Sequence, residues 1–468
     1  MKKRKSTPST RKVRRDYAGG KRGNGNDRTR AIRRPDPRRI KIGTADPSLS
    51  AVAGLVMFGA FLRDLQVDHR LRELFGHLKS SKGVVYPMHA QLRLLLDTFV
   101  AGEQRVFGLE NLAADALFVL LAGGVVPSID TVYRDLDRFD PKSVDALTAV
   151  MVEHGLVPVR RMGKLTEAHV DIDTTVMPIF GELEGAVPGP NPHYHGRPSY
   201  HPVLARVAET DTCVGAMLRT GDTSFGAAEA PFVEITLDSV REAIGPDCLL
   251  YVRIDAAGDC TDIMQTIHRK GALFVTKGKM TPDLCAAVAA HSRWTTTDRD
   301  ADGLATRQVA VIAFRRQQWD TAWDVPVRVI AVRSRERDNG KQLYLWEGLD
   351  FTVQVYLSND WISDADDVAW RYDKRGGIEP LIAEFKNGWG IGKMSTDGFT
   401  ANAATLMLKL LAHNLLRRYV NEKIPALKSW RSAWIRRTVI LVPGRIARSG
   451  RRKTLHMPSR PVLERMLD

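Results

Sequence analysis

Three short segments constrain this chain more than any others. "AHVDIDTTVMPIF", "CLLYVRIDAAGD" and "ALFVTKG" read with a period of two or as short apolar runs, and helical patterns such as "FVEITLDSVREAI" and "CTDIMQTIHRK" separate them. Strands alternating with helices predict an α/β sheet with helical cover. In such a sheet, acids at the C-terminal ends of strands project into the crevice where ligands bind. Two acids stand there: Asp173, where the first segment gives way to Thr174–Thr175, and Asp255, just after an apolar run. Asp171 shares the strand face of Asp173, since side chains alternate along a strand. An Asp at a strand end also forms turns or caps helices, so position alone leaves both roles open.

Around this core the periods change. From about Pro47 to Arg160, "LVMFGAFLRDLQ", "MHAQLRLLLDTFVAG" and "ENLAADALFVLLAGG" place apolar residues three and four apart, as helices do. Gly123–Gly124 ends one helix, and Ser128 caps the next, which carries Arg134 and Arg138. That pair reads as a helix-turn-helix able to present the two arginines to DNA. Between Met280 and Asp360 the segments "TRQVAVIAFRR", "PVRVIAVRSRE", "LYLWEG" and "FTVQVYLSND" predict a β-rich inserted subdomain, after which helical spacing returns in "AATLMLKLLAHNLLRRYV". The expected organisation is a basic flexible arm (1–45), a helical DNA-binding domain (46–160), a core in two parts (161–280 and 356–420) around the insertion (281–355), and a basic C-terminal tail (421–468).

Charge enters through its distribution. Residues 1–42 hold 17 Lys and Arg against 3 Asp, and residues 417–468 hold 14 against 3 acids, so the part between carries a net −10. Basic ends on an acidic body suit a polyanion held by the ends and a cation-binding centre. The arm has almost nothing apolar to bury and is expected to be disordered until it meets a partner. No apolar run reaches membrane-spanning length and no secretion signal is present, so a soluble cytoplasmic protein is expected. The four cysteines lack C-x-x-C spacing, which argues against a cysteine-rich zinc site. His193, His195 and His201 lie near one another without a carboxylate or thiol to complete a metal site. Trp319, Trp323 and Trp346 fall in the insertion, as packing residues or as platforms for a base.

"YDKRGGIEPLIAEFKNGWG", residues 372–390, holds two glutamates. On one regular helix Tyr372, Arg375, Glu379 and Lys386 fall within roughly 60° of arc, and Glu384 points about 140° from Glu379. An Arg375–Glu379 pair also explains that face as ordinary helix chemistry. Pro380 cannot sit in a helix interior cheaply but is welcome in a first turn, so a helix starting near Glu379 is the other reading.

The spacing Y-x2-R-x3-E-x6-K, with "DIDTT", "LRTGDTSF", "VRIDAAGD", "YLSND" and "FTANAATLMLKLLAHNLL" in order around it, resembles bacterial insertion-sequence transposases with a DDE active site. The insertion-sequence group numbered thirteen-eighty is the nearest fit, over about Leu109 to Val420. "DAAGDC" lacks the aromatic residue common after the second acid of that family. The resemblance implies an RNase H-like catalytic core interrupted by a β-rich insertion. It implies Asp173, Asp255 and Glu379 as catalytic and metal-binding acids, with Asp173 preferred to Asp171. It implies two Mg²⁺ ions, for which Mn²⁺ can substitute, and phosphate contacts from Tyr372, Arg375 and Lys386. The implied activity is cut-and-paste transposition: cleavage at the element's ends and transfer of the 3′-ends into target DNA by a homodimer in a synaptic complex. A catalytically inactive DNA-binding descendant and a metal-dependent nuclease without strand transfer are the rival expectations.

Overall fold

A computed structural model describes residues 36–191, 195–316, 319, 324–335, 351–459 and 462. The basic arm through residue 35, His193, Trp323, Trp346 and the last residues of the tail lie outside the described residues. The chain divides into two compact units, one formed by residues up to Val132 together with those from Tyr419, the other by Tyr133–Arg418. The helices read together as 46–160 are therefore shared between the units, and the C-terminal segment joins the N-terminal helices.

The first unit contains helices α1 (Leu55–Asp64), α2 (Val67–Phe75), α3 (Met88–Val100) and α4 (Ala116–Leu121). Apolar residues at helical spacing, such as Phe58, Phe61 and Leu62 on α1 and Leu92, Leu95 and Phe99 on α3, fill its core. The C-terminal segment enters this core rather than trailing from it. Ala53 N–H donates to the Val442 carbonyl (2.9 Å), and a three-stranded sheet is ordered Leu49–Ser50, Gly444–Ser449, Arg452–His456. Gly54 packs so tightly that an added Cβ would lie 1.8 Å from the Val439 carbonyl oxygen. Helix α5 (Ile129–Leu136) follows Gly123 and Gly124, both at positive φ, and spans the boundary between the units.

The second unit is built on one nine-stranded sheet. Helix α6 (Pro141–Arg160) precedes it, capped by Asp140, which accepts from Ser143 N–H at 2.8 Å. Strands β1 (Glu167–Thr174), β2 (Val203–Val207) and β3 (Thr212–Met217) form an antiparallel meander. After helix α7 (Ala230–Ile244), β4 (Leu249–Ile254) pairs parallel with β1; after helix α8 (Thr261–Arg269), β5 (Leu273–Lys277) pairs parallel with β4. The first five strands thus lie in the order β3-β2-β1-β4-β5.

Of the segments expected to form an inserted subdomain, the described strands instead extend this sheet, and "LYLWEG" lies outside the described residues. After helix α9 (Pro282–Ala290) come β6 (Thr295–Arg299), β7 (Ala305–Ile312), β8 (Arg328–Ser334) and β9 (Thr352–Ser358). β9 pairs antiparallel with β5, and β8, β7 and β6 follow outward. The physical reason lies in the edge of β5, whose backbone groups would otherwise stay unpaired. Both faces of the extension are apolar near the join. Ala310, Ile312, Val329, Ala331 and Val355 join the main core with α6, α7, α8 and α9, while Val309, Ile330, Val332 and Tyr356 pack on Val368 and Ala369 of helix α10 (Ala365–Asp373). Helix α11 (Ile378–Gly388) and the 25-residue α12 (Phe399–Lys423) complete the described helices used below.

A buried ion network crosses the centre of the sheet. Asp171 on β1 is wholly buried; Arg206 on β2 donates to it through Nε (2.9 Å) and Nη2 (2.8 Å), and Arg253 on β4 through Nε (2.5 Å) and Nη2 (3.0 Å). Removing one member of such a network leaves desolvated charge behind, at a cost of about 3–5 kcal/mol. Asp171→Asn is therefore expected to lower unfolding free energy by about that amount in urea titrations; a loss below about 1 kcal/mol would show that the network does not hold the sheet.

Candidate active site

The C-terminal ends of β1 and β4 carry paired acids with different surroundings. Asp173 is two residues beyond Asp171 and so on the same strand face, but it reaches the strand end and is only partly buried. Asp255 follows the last residue of β4, the strand parallel to β1, and caps a short turn in which Ala257 N–H donates to its Oδ1 at 3.0 Å. The turn is held from behind by Thr276, whose hydroxyl donates to the Asp255 carbonyl (2.5 Å). Gly258 is required there, since a Cβ would meet the Ile254 Cβ at 2.6 Å. The second acid of "DAAGD" is spent elsewhere: Asp259 is buried and binds Arg316 in a two-pronged pair (2.5 and 2.6 Å).

Electrostatics links the two strand-end acids. Burial pushes the Asp173 carboxyl up from its ordinary range, the Arg375 guanidinium opposes that shift, and the nearby Asp255 charge adds to it. Two carboxylates within each other's field at the mouth of a sheet are hard oxygen donors that a divalent cation would relieve.

The segment 372–390 does not form one regular helix. Tyr372 lies in the last turn of α10, Arg375 in a 3₁₀ turn over Lys374–Gly377, and Glu379, Pro380 and Lys386 on α11. Pro380 is the third residue of α11, in the first turn where its missing N–H has no helical partner to lose. The break changes what each residue faces. Arg375 is 6% exposed and turns into the site, its Nη2 3.0 Å from Asp173 Oδ1 and 3.4 Å from the Ile172 carbonyl. Its Nε is buried without a hydrogen-bond partner among the described residues. The half-buried Lys386 donates to the Val176 carbonyl (3.0 Å), and burial lowers its pKa while the Asp173 charge raises it. Tyr372 packs on Tyr356 with ring centroids 4.8 Å apart and lies in the field of Arg375, Asp255 and Asp173; burial pushes its hydroxyl up.

Glu379 is exposed on the first turn of α11, a helix that packs against β1. The structure brings Asp173, Asp255, Tyr372, Arg375 and Lys386 into one electrostatic neighbourhood and leaves Glu379 at its margin. Among the described residues no three His, Cys, Asp or Glu side chains are grouped closely enough to hold a metal ion. The donor chemistry of Asp173 and Asp255 fits a hard divalent cation, and Glu379 would complete the set only through a shift of α11 or its side chain.

Other expected residues lie elsewhere. Arg134 and Arg138 are exposed on and just beyond α5, and Arg138 pairs with the buried Asp135 at 2.9 Å. His201 is buried with its Nδ1 3.1 Å from the Thr223 carbonyl oxygen, and Trp319 is buried in the main core. Sequence reasoning missed Arg206 and Arg253. The available signal was an arginine inside an apolar strand, "VLARV" and "LLYVRI", which needs a buried counter-charge.

No curated protein matches the chain significantly. A solved structure of piggyBac transposase, in a synaptic complex with hairpin DNA, aligns over 82% of this chain and 79% of that one at 12% identity and a TM-score of 0.45. The model of the transposase DDE domain, group 1, matches residues 34–468. The chain belongs to that family of DDE transposases.

Proposed function

We propose that this transposase cleaves the ends of its own element and joins the 3′-ends to target DNA, with Asp173, Asp255 and Glu379 as its catalytic acids. The observation that carries this reading is the pair Asp173 and Asp255, set at the ends of adjacent parallel strands and within each other's field. The strand order β3-β2-β1-β4-β5, with the first three antiparallel and the next two parallel, supports an RNase H-like core. The three acids would hold Mg²⁺, as two ions that Mn²⁺ can replace. When bound, such ions stabilise the attacking and leaving oxygens of an in-line phosphoryl transfer.

The chain's own residues supply the rest. Arg375 pairs with Asp173 and opposes the burial that raises its carboxyl, and its unpartnered Nε leaves a donor for a phosphate oxygen. Lys386 and Tyr372, beside the same acids, hold the DNA backbone near the scissile bond. Arg134 and Arg138 bind the element's ends. Two ends cut in concert call for a homodimer, acting on DNA in the cytoplasm at the nucleoid. No helix among the described residues is long and apolar enough to cross a membrane.

Asp173→Asn, Asp255→Asn and Glu379→Gln are each expected to reduce cleavage of duplexes carrying the element's ends on the order of 10³-fold or more, with folding intact. Glu384→Gln, five residues from Glu379, should retain activity. Full activity in Glu379→Gln with loss in Glu384→Gln would overturn the assignment. Chelation should abolish both cleavage and joining, and added Mg²⁺ or Mn²⁺ should restore them; cleavage without joining in restored enzyme would identify a nuclease.

The pH dependence follows from Asp173. Its carboxyl is raised by burial, and Arg375 pulls it back towards the ordinary range. Removing that charge in Arg375→Gln raises it further, so the acid limb of the cleavage profile should move to higher pH. A shift to lower pH, or none, would show that Arg375 does not act on Asp173.

A further inference from the structure

The outer rungs of the hairpin made by Gly444–Ser449 and Arg452–His456 carry charge without counter-charge, while Arg445 at its base lies in the field of Asp46. Its register sets Arg448 directly opposite Lys453. Directly opposed side chains on an antiparallel pair are about 5 Å apart, and like charges there destabilise the pair. No acid occurs between Glu422 and Glu464 to offset them. Arg448, Arg451, Arg452 and Lys453 are all exposed, and none forms an ion pair among the described residues.

The base of the hairpin is anchored while its outer rungs project. Gly444 and Arg445 pair with Ser50 and Leu49, and Ile446 N–H donates to the Ser48 carbonyl at 2.7 Å. Ile446 and Leu455 are partly buried, and a Cβ at Gly444 would meet Ala53 at 2.6 Å. Beyond that anchor, alternation places Arg448 and Lys453 on one face and Arg452 with Arg445 on the other. A ribbon with cations on both faces matches two walls of negative charge. Duplex DNA offers such walls, with one charge per ~1.7 Å of axis and a major groove wide enough for a two-stranded ribbon.

We propose that Gly444–His456 is a duplex-DNA-binding ribbon that enters a groove and touches phosphates on both sides, independent of base sequence. The proposal rests on the reading of the chain as a DNA-acting transposase and names a surface for it. The substitution Lys453→Glu separates fold from function, because it turns a repulsive cross-strand pair into an attractive one.

The test uses the full chain, a duplex taken from the DNA flanking the gene, and a shuffled duplex of equal length. Affinities are measured by fluorescence anisotropy across a salt series. Lys453→Glu should leave the thermal midpoint unchanged or higher while weakening both duplexes. Combined Arg448→Ala, Arg451→Ala, Arg452→Ala and Lys453→Ala should weaken both at least tenfold and flatten the salt slope by about 3–4. Parental affinity and slope in both variants would overturn the ribbon while leaving the transposase reading intact. Loss confined to the flanking duplex would overturn the phosphate-contact mechanism, and a lower midpoint in Lys453→Glu would overturn the like-charge argument. A parental chain that binds neither duplex would overturn both the ribbon and the function.

Discussion

The buried carboxylate of Asp171 is the interaction on which the second unit turns. It pairs with Arg206 and Arg253 from the strands on either side, Asp211 sharing the charge of Arg206, and both arginines reach on to the segment that carries the third candidate acid. Arg253 Nη1 donates to the Arg371 carbonyl at 2.9 Å, at the end of α10. Arg206 lies against Gly377, where any Cβ would stand 2.5 Å from its Nη2. The network therefore sets the height of Tyr372 and Arg375 over the sheet, and through Arg375 the orientation of Asp173. A buried ion network contributes little net stability against an apolar replacement, so its use here is positional.

Each acidic motif divides its labour in the same way. Asp171 is buried against arginines while Asp173 reaches the strand end. Asp259 is locked to Arg316 while Asp255 sits at the strand end. Glu384 is half-buried in the field of Arg417, while Glu379 is exposed in the first turn of α11. In every pair one carboxylate is consumed by packing and the other is left with oxygens to offer. Burial and pairing, more than spacing, distinguish the acids available for chemistry from those that build the fold.

Much of this was legible in the sequence for physical reasons. Period-two strands separated by helical segments specify an α/β sheet, and "VDIDTT" and "VRIDAAGD" place their acids by strand alternation and strand end. What was not legible depends on contacts distant in sequence. Nothing near Asp171 reveals that its partners are 35 and 82 residues away. The strands from Thr295 to Ser358 read as a separate block because local pattern does not say which open edge they join. The C-terminal basic segment read as a tail, since no local pattern shows that Ile440 and Val442 are buried or that their carbonyls accept from Gly54 and Ala53 near the other end of the chain. At Pro380 local chemistry did hold the answer: proline tolerated in a first turn divides 372–390 into a helix end, a 3₁₀ turn and a new helix.

The central claim is that Asp173 and Asp255 are joined by Glu379 around bound metal, with Arg375 beside them. Anomalous diffraction from Mn²⁺ in crystals of the chain bound to cleaved end DNA measures this directly. Manganese peaks are expected within coordination distance, about 2.0–2.2 Å, of carboxylate oxygens from all three acids, with Asp171 still held by its two arginines. Peaks on Asp171 or Glu384, or at a site lacking Asp255, would contradict it.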